Sequence, residues 1–204
     1  MAPLFIITAL LLPTAAVTAN PARLYFPPQT ATHRCQYGDK SHDVPLVNEG
    51  ALGSFAQALT IAKEPPLLHA GKNGARVVRF TWLRTFHAPI VIRMTLPERG
   101  KGRIDTVVLS GLGGYDLGDI KTRRRIAVTH AQADPVLALA DSAGLVPAKP
   151  FCGPPGLDGA RWLIERRDDT GYHFAERWSP RNGAVRDTGI ALLRLAGLDG
   201  EEIY

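Results

Sequence analysis

Residues 76–110, RVVRFTWLRTFHAPIVIRMTLPERGKGRIDTVVLS, decide the fold. Val78, Phe80 and Trp82 alternate with Arg79, Thr81 and Leu83. After a reversal at Thr85–Pro89, Ile90, Ile92, Met94 and Leu96 alternate with Val91, Arg93 and Thr95. Successive side chains of a strand point to opposite faces, so a period of two predicts two half-buried strands joined as an antiparallel hairpin. Pro97–Gly102 then turns the chain into Arg103–Ser110, whose Thr106-Val107-Val108-Leu109 core is β-prone. The centre of the fold is therefore expected to be a meander.

Downstream, Gly111–Gly118 reads as a flexible connection to a fourth strand over Arg123–Thr129. Asp134-Pro135 offers an N-cap and first-turn pair for a helix lined by Val136, Leu137, Leu139 and Ala140, with Gly144 as its stop. Arg161–Arg166 and Tyr172–Trp178 flank the turn residues Asp168-Asp169-Thr170-Gly171 and predict a hairpin. A last helix begins near Asp187 or Thr188, and Gly189 is expected to weaken it. Upstream, Leu52, Phe55, Ala56, Leu59 and Ala62 recur at helical spacing until Pro65-Pro66. Residues 20–47 lack periodicity and read as an irregular arm. Strands grouped together, without strict βαβ alternation, predict an α+β fold: one domain over residues 48–204, with an antiparallel sheet, meander plus C-terminal hairpin, packed by about three helices.

The first nineteen residues read differently. Leu4–Leu12, LFIITALLL, is a short apolar run, and Val17-Thr18-Ala19 offers small residues to a signal peptidase. The run is too short to span a bilayer, which takes about 20 apolar residues. Residues 1–19 are expected to be a signal peptide cleaved after Ala19, leaving a mature protein in the periplasm or the medium, with no membrane span. The remaining chain, about 185 residues, suffices for one domain with a sizeable core. Its 24 Lys and Arg against 19 Asp and Glu give a net charge of +5, which favours acidic partners.

Two cysteines in an oxidising compartment predict a disulfide between Cys35 and Cys152. The alternative, a metal held by His33, Cys35 and His42, matches no standard zinc spacing and lacks a fourth ligand nearby. No metal or other cofactor is expected. Ser110-Gly111-Leu112-Gly113-Gly114 follows a strand as a nucleotide loop would, but no helix start and no Gly-Lys-Ser/Thr follow it. Catalytic signatures are missing: there is no G-x-S-x-G elbow, and Glu165, Glu176, Asp116 and Asp158 form no specific carboxylate pattern. His87 and His173 read as exposed, hydrogen-bonded histidines.

Two surfaces are candidates for binding. Arg123, Arg124 and Arg125 either hold an anionic polymer or form a solvated, aggregation-resistant strand edge. No aromatic residue is interleaved for base stacking, which argues against nucleic acid. On the hairpin, Trp162, Tyr172, His173, Arg177 and Trp178 combine aromatic and guanidinium groups, as binding hot spots do. The other reading packs Trp162 and Trp178 into the core against the last helix.

The stretch from Leu157 to Leu198 resembles the C-terminal block of a poorly characterised group of bacterial exported proteins, with a D-G-x-x-W hairpin and an R-x-S-P turn before a Leu-rich helix. The matching positions are Asp158, Gly159, Trp162, Arg177, Ser179 and Pro180. The resemblance implies export and supplies no catalytic residue. The function expected is a non-enzymatic envelope or secreted module that binds a protein or an anionic polymer. The alternatives are a small hydrolase of an envelope or extracellular polymer, using a carboxylate or His173, and a basic module binding an anionic glycan or nucleic acid through Arg123–Arg125.

Overall fold

The alternation in residues 76–110 is realised as three antiparallel strands in the computed structural model, which describes residues 21–28, 31–70, 74–142, 156 and 158–203. The elements are, in chain order, α1 (Ala22–Tyr25), β1 (Thr32–Tyr37), β2 (Lys40–Pro45), α2 (Glu49–Ile61), β3 (Arg76–Arg84), β4 (Ile90–Leu96), β5 (Gly102–Leu109), β6 (Ile120–Val128), α3 (His130–Ser142), β7 (Ala160–Asp168), β8 (Gly171–Trp178) and α4 (Ala184–Leu195). β3 to β8 form one six-stranded antiparallel sheet in the order β6-β5-β4-β3-β7-β8. The meander thus runs from β3 outward to β6, and the late hairpin joins the free edge of β3. The fold is α+β in a single domain, as the sequence predicts.

The sheet is covered on both faces, so seven of the nine residues of β3 are buried, the charged Arg79 and Arg84 among them. One face presents Phe80, Trp82, Ile92, Met94, Trp162 and Ile164 to α3 and α4. The ring of Trp162 lies 5.0 Å from Trp82 and 5.1 Å from Phe80. Gly189 of α4 is required here, because a Cβ at that position would meet Trp162 Cζ3 at 2.7 Å. The other face presents Leu83, Val91, Val107 and Leu163 to α1 and α2, whose Phe26, Phe55 and Leu59 are buried against it.

Four expectations are corrected. The segment read as an irregular arm contains α1 and the β1–β2 hairpin, which turns at Gly38-Asp39 with Gly38 at φ +57°. α3 starts at His130 rather than Asp134 and carries Pro135 inside it. Thr129 Oγ1 accepts from Gln132 N while Gln132 Oε1 accepts from Thr129 N, a capping box one turn earlier than the Asp-Pro signal. The last helix also begins earlier, at Ala184. Finally, the glycine stretch is a tightly tied loop. Ser110, Gly111 and Leu112 donate backbone N–H to Asp119, Leu117 and Asp116, and Gly113 and Gly114 donate to His87 and Thr85. Gly113 packs against Arg84 so closely that a Cβ would lie 2.5 Å from its nitrogen. Residues 1–19, Gly144 and Cys152 fall outside the described residues. No helix among those described is long and apolar enough to cross a membrane.

Candidate functional site

On the face beneath α2, one rung of the sheet is charged from strand to strand. The register places Glu165 of β7 beside Arg79 of β3, Arg79 beside Arg93 of β4, Arg93 beside Asp105 of β5, and Asp105 beside Arg125 of β6. Arg79 and Glu165 are both fully buried. Arg79 Nε donates to Glu165 Oε2 at 2.7 Å and its Nη2 to Oε1 at 2.6 Å, while Nη1 donates to the Pro65 carbonyl at 2.7 Å. The two opposed guanidiniums would repel each other across the strands. Glu64, from the loop after α2, relieves this: its carboxylate takes Arg93 Nε at 2.8 Å and lies 3.7 Å from Arg79 Nη1.

At the β5 end, Asp105 accepts from Arg93, Arg103 and Arg125, at 3.1, 3.1 and 2.5 Å. Burial would raise its carboxyl, but the Arg125 hydrogen bond and the charges of Arg93, Arg125 and Arg103 hold it below the usual aspartate range. At the other end, Tyr172 donates to Glu165 Oε1 at 3.0 Å. Burial and the neighbouring carboxylate push the Tyr172 phenol well up, so it remains a donor. Burial alone would lower the Arg79 guanidinium, yet Glu165 and then Glu64 outweigh it and keep Arg79 charged.

One row further along, toward the start of β3, the helix layer ends and a cleft opens. Val77 stands between Thr95 and Arg167 in the register, and Thr95 is paired with Arg103. The strap Pro65–Ala70 forms the opposite wall, and the cleft holds about 180 Å³. Arg167 fixes the strap by donating to the Leu68 carbonyl at 3.5 Å and the Ala70 carbonyl at 2.6 Å. Arg93, Arg103 and Arg167 all line the cleft. Arg103 is about half exposed and gives only its Nε to Asp105. Among the described residues, two buried polar atoms of lining side chains, Thr95 Oγ1 and Arg167 Nε, find no hydrogen-bond partner.

The residues singled out by sequence do not converge. Trp162 is a core residue, 0% exposed, and is closed to any partner. Trp178 is half-buried, stacked under the Arg161 guanidinium at 5.1 Å. Arg177 bonds the carbonyl of Glu176 at 2.7 Å, and burial lowers its pKa from the ordinary value despite the nearby Glu176 carboxylate. His173 is exposed on β8, opposite Arg166. Of the basic run on edge strand β6, Arg123 Nη2 caps the end of α2 at the Ala62 carbonyl, 2.5 Å away, and Arg125 belongs to Asp105. Arg124 points from the other face of the sheet, in register with Thr106.

Within the D-G-x-x-W and R-x-S-P stretches, Gly159, Trp162 and Ser179 are architectural. Ala160 N donates to Ser179 Oγ at 2.8 Å and Ser179 N to the Ala160 carbonyl at 2.7 Å, closing the open end of the hairpin. Gly159 leaves room for Ser179 Oγ, which a Cβ would meet at 2.4 Å. Among the carboxylates, Glu165 is spent on Arg79 and Tyr172, Glu176 pairs with Arg161 at 3.3 Å, and Asp116 accepts from Gly118 N. Cys35 is buried on β1 opposite His42, with His33 two residues away, but no metal-holding group of His, Cys, Asp or Glu occurs among the described residues.

Sequence reasoning missed the cleft arginines because Arg93 and Arg103 alternate with apolar residues as ordinary outward-facing strand positions do. The available signal was that the face bearing Arg79 and Arg93 also bears Val91, Leu83 and Val107, which makes it a covered face. No protein-family model matches this chain, and no curated protein matches it significantly.

Proposed function

We propose that this protein is an exported module of the periplasm or medium that holds a partner without transforming it. The observation that carries this reading is the disposition of its charged groups. The carboxylates on the sheet face are committed to guanidiniums, and the cleft beside them brings Arg93, Arg103 and Arg167 together with Asp168 and Asp169. General acid–base chemistry needs a titratable group in reach of substrate, and Glu165 is fully buried behind two donors. Export is supported by the apolar run Leu4–Leu12 and the small residues before Asn20. A Cys35–Cys152 disulfide would tie the β1–β2 hairpin to the connection before β7; complete burial of Cys35 and the lack of a free cysteine among the described residues support it. Removing such a long-loop bridge would cost about 4–5 kcal/mol in the chain-entropy model.

The test is to express the full chain with its leader in a bacterial host, cross-link in the envelope, and identify what is joined to it. The expected result is a mature N-terminus at Asn20 and a specific companion retained through denaturing purification. An unprocessed cytoplasmic chain would contradict the export reading, and turnover of an envelope polymer by the purified protein would contradict the binding reading.

A further inference from the structure

Resting on that binding-module reading, we infer that the free edge of β6 is a docking edge for an acidic, extended polypeptide segment of a partner protein, which adds to the sheet as a further strand. β6 pairs with β5 alone, so one side of its backbone meets no strand. Val108 pairs with Thr122 and Leu109 with Ile120, which leaves Lys121 bulged and residues 122–128 in unbroken register. Among the described residues, residues 122–128 make no backbone hydrogen bond outside the β5 ladder. In an antiparallel pair about half of a strand's N–H and C=O groups point away from its partner, and such a row is a template for another strand. Thr122, Arg123, Arg124 and Arg125 are exposed, and neither Pro nor Gly interrupts the stretch. At the other edge of the sheet, β8 exposes only His173.

Charge selects the occupant. β6 carries Lys121, Arg123, Arg124 and Arg125 and no acid. The acids beside it are Asp105, shared by Arg93, Arg103 and Arg125, and Asp116 and Asp119 in the loop before the bulge. Arg123 is bonded to a carbonyl rather than a carboxylate, and Arg124 has no ion pair among the described residues. Arg124 Nη1 stands at the end of α4, 3.5 Å from where a Cβ on Gly197 would lie, and the charges flanking Gly197 in sequence, Arg194 and Asp199, are of opposite sign. A second copy of the chain fits poorly. Antiparallel pairing of β6 with itself about Arg124 sets Arg123 opposite Arg125, and like charges directly opposite each other destabilise a strand pair. A flexible polyanion also fits poorly, because Arg124 lies on the opposite face of the sheet from Arg123 and Arg125. An added strand sends successive side chains to both faces, so three consecutive acidic residues each meet one arginine.

The experiment uses the purified mature protein and a fluorescent, end-capped peptide, Thr-Val-Glu-Glu-Glu-Val-Thr, titrated at constant ionic strength and read by anisotropy. A second peptide has the same side chains but is N-methylated at every residue, which removes its backbone donors and keeps its charge. The expected result is saturable binding of the first peptide, weakened tenfold or more by the methylation, with amide hydrogen exchange slowed at outward-facing positions among residues 122–128. Arg124→Glu, an exposed substitution, should weaken the acidic peptide tenfold or more, and a peptide with Lys as its central residue should bind this variant better than it binds the parent protein. Equal binding of the methylated peptide would mean that charge alone holds it, as it would an anionic glycan or nucleic acid, and would overturn strand addition. The absence of saturable binding, or affinity unchanged in Arg124→Glu, would overturn it as well. Each of these failures leaves the cross-linking result, and so the binding reading, to stand separately.

Discussion

Replacing Glu165 with Gln leaves the Arg79 guanidinium fully buried and strips it of its bidentate partner. Unit charges about 4 Å apart at an effective dielectric near 20 attract by roughly 4 kcal/mol. Breaking such a buried pair from one side costs about 3–5 kcal/mol, because the remaining ion keeps its desolvation penalty. Arg79 retains the Pro65 carbonyl and, at 3.7 Å, Glu64, which places the expected loss at the lower end, about 3 kcal/mol. Arg79→Met should cost a similar amount by orphaning Glu165. Removing both ions together, in Arg79→Met with Glu165→Leu, should cost clearly less than the sum. The residual loss comes from the Pro65 carbonyl and the Tyr172 hydroxyl, each left without a partner at about 1–3 kcal/mol. Urea unfolding at pH 7 of the parent, Arg79→Met, Glu165→Leu and the variant combining the two forms a double-mutant cycle with an expected coupling of about 2 kcal/mol or more. Glu165→Gln within about 1 kcal/mol of the parent, or strict additivity, would refute the view that this pair is a buried ion pair in the folded protein.

Three further outcomes follow from the packing and the titrating groups. Gly189→Ala should lower Tm despite the better helix propensity of alanine, because its Cβ would stand 2.7 Å from Trp162 Cζ3 and 3.0 Å from Phe80 Cζ; overpacking of this kind costs about 1–3 kcal/mol, and a raised Tm would show that α4 can shift away. Thr129→Ala should remove the capping box of α3 and cost about 1 kcal/mol by chemical denaturation, with no loss expected if the cap lies elsewhere. Burial raises the Glu176 carboxyl above its ordinary value against the pull of Arg161. A raised folded pKa means stability that is present below the ordinary glutamate range and lost as pH rises through the folded value. Glu176→Gln should therefore be at least as stable as the parent at pH 7, with the advantage gone by pH 4, and a variant less stable at pH 7 than at pH 4 relative to the parent would reverse that sign.

The fold was legible where side-chain period and strand length agreed. β3, β4, β7 and β8 fall within a residue or two of the alternating runs, and the Asp168–Gly171 turn joins the last pair as its residues require. The β1–β2 hairpin was hidden because its strands are mostly exposed and polar, THRCQY and KSHDVP, so no burial pattern marks them. The start of α3 was hidden by Pro135, which advertises a first turn yet sits in the second, where the capping box at Thr129 has already begun the helix. Gly189 looked like a defect and is a contact requirement. The candidate site was the least legible part. Arg79 and Arg93 occupy strand positions that face solvent in a one-sided sheet, and nothing local in the sequence announces that α2 covers them. The hairpin tryptophans drew attention by composition alone, and composition does not distinguish Trp162 at 0% exposure from a surface aromatic.

The most direct test of the buried charged row is hydrogen exchange at the arginine Nε–Hε groups of the mature protein, followed by NMR. Arg79 Hε, bonded to Glu165 and fully buried, is predicted to exchange far more slowly than the Hε of half-exposed Arg103. Equally fast exchange at the two arginines would contradict it.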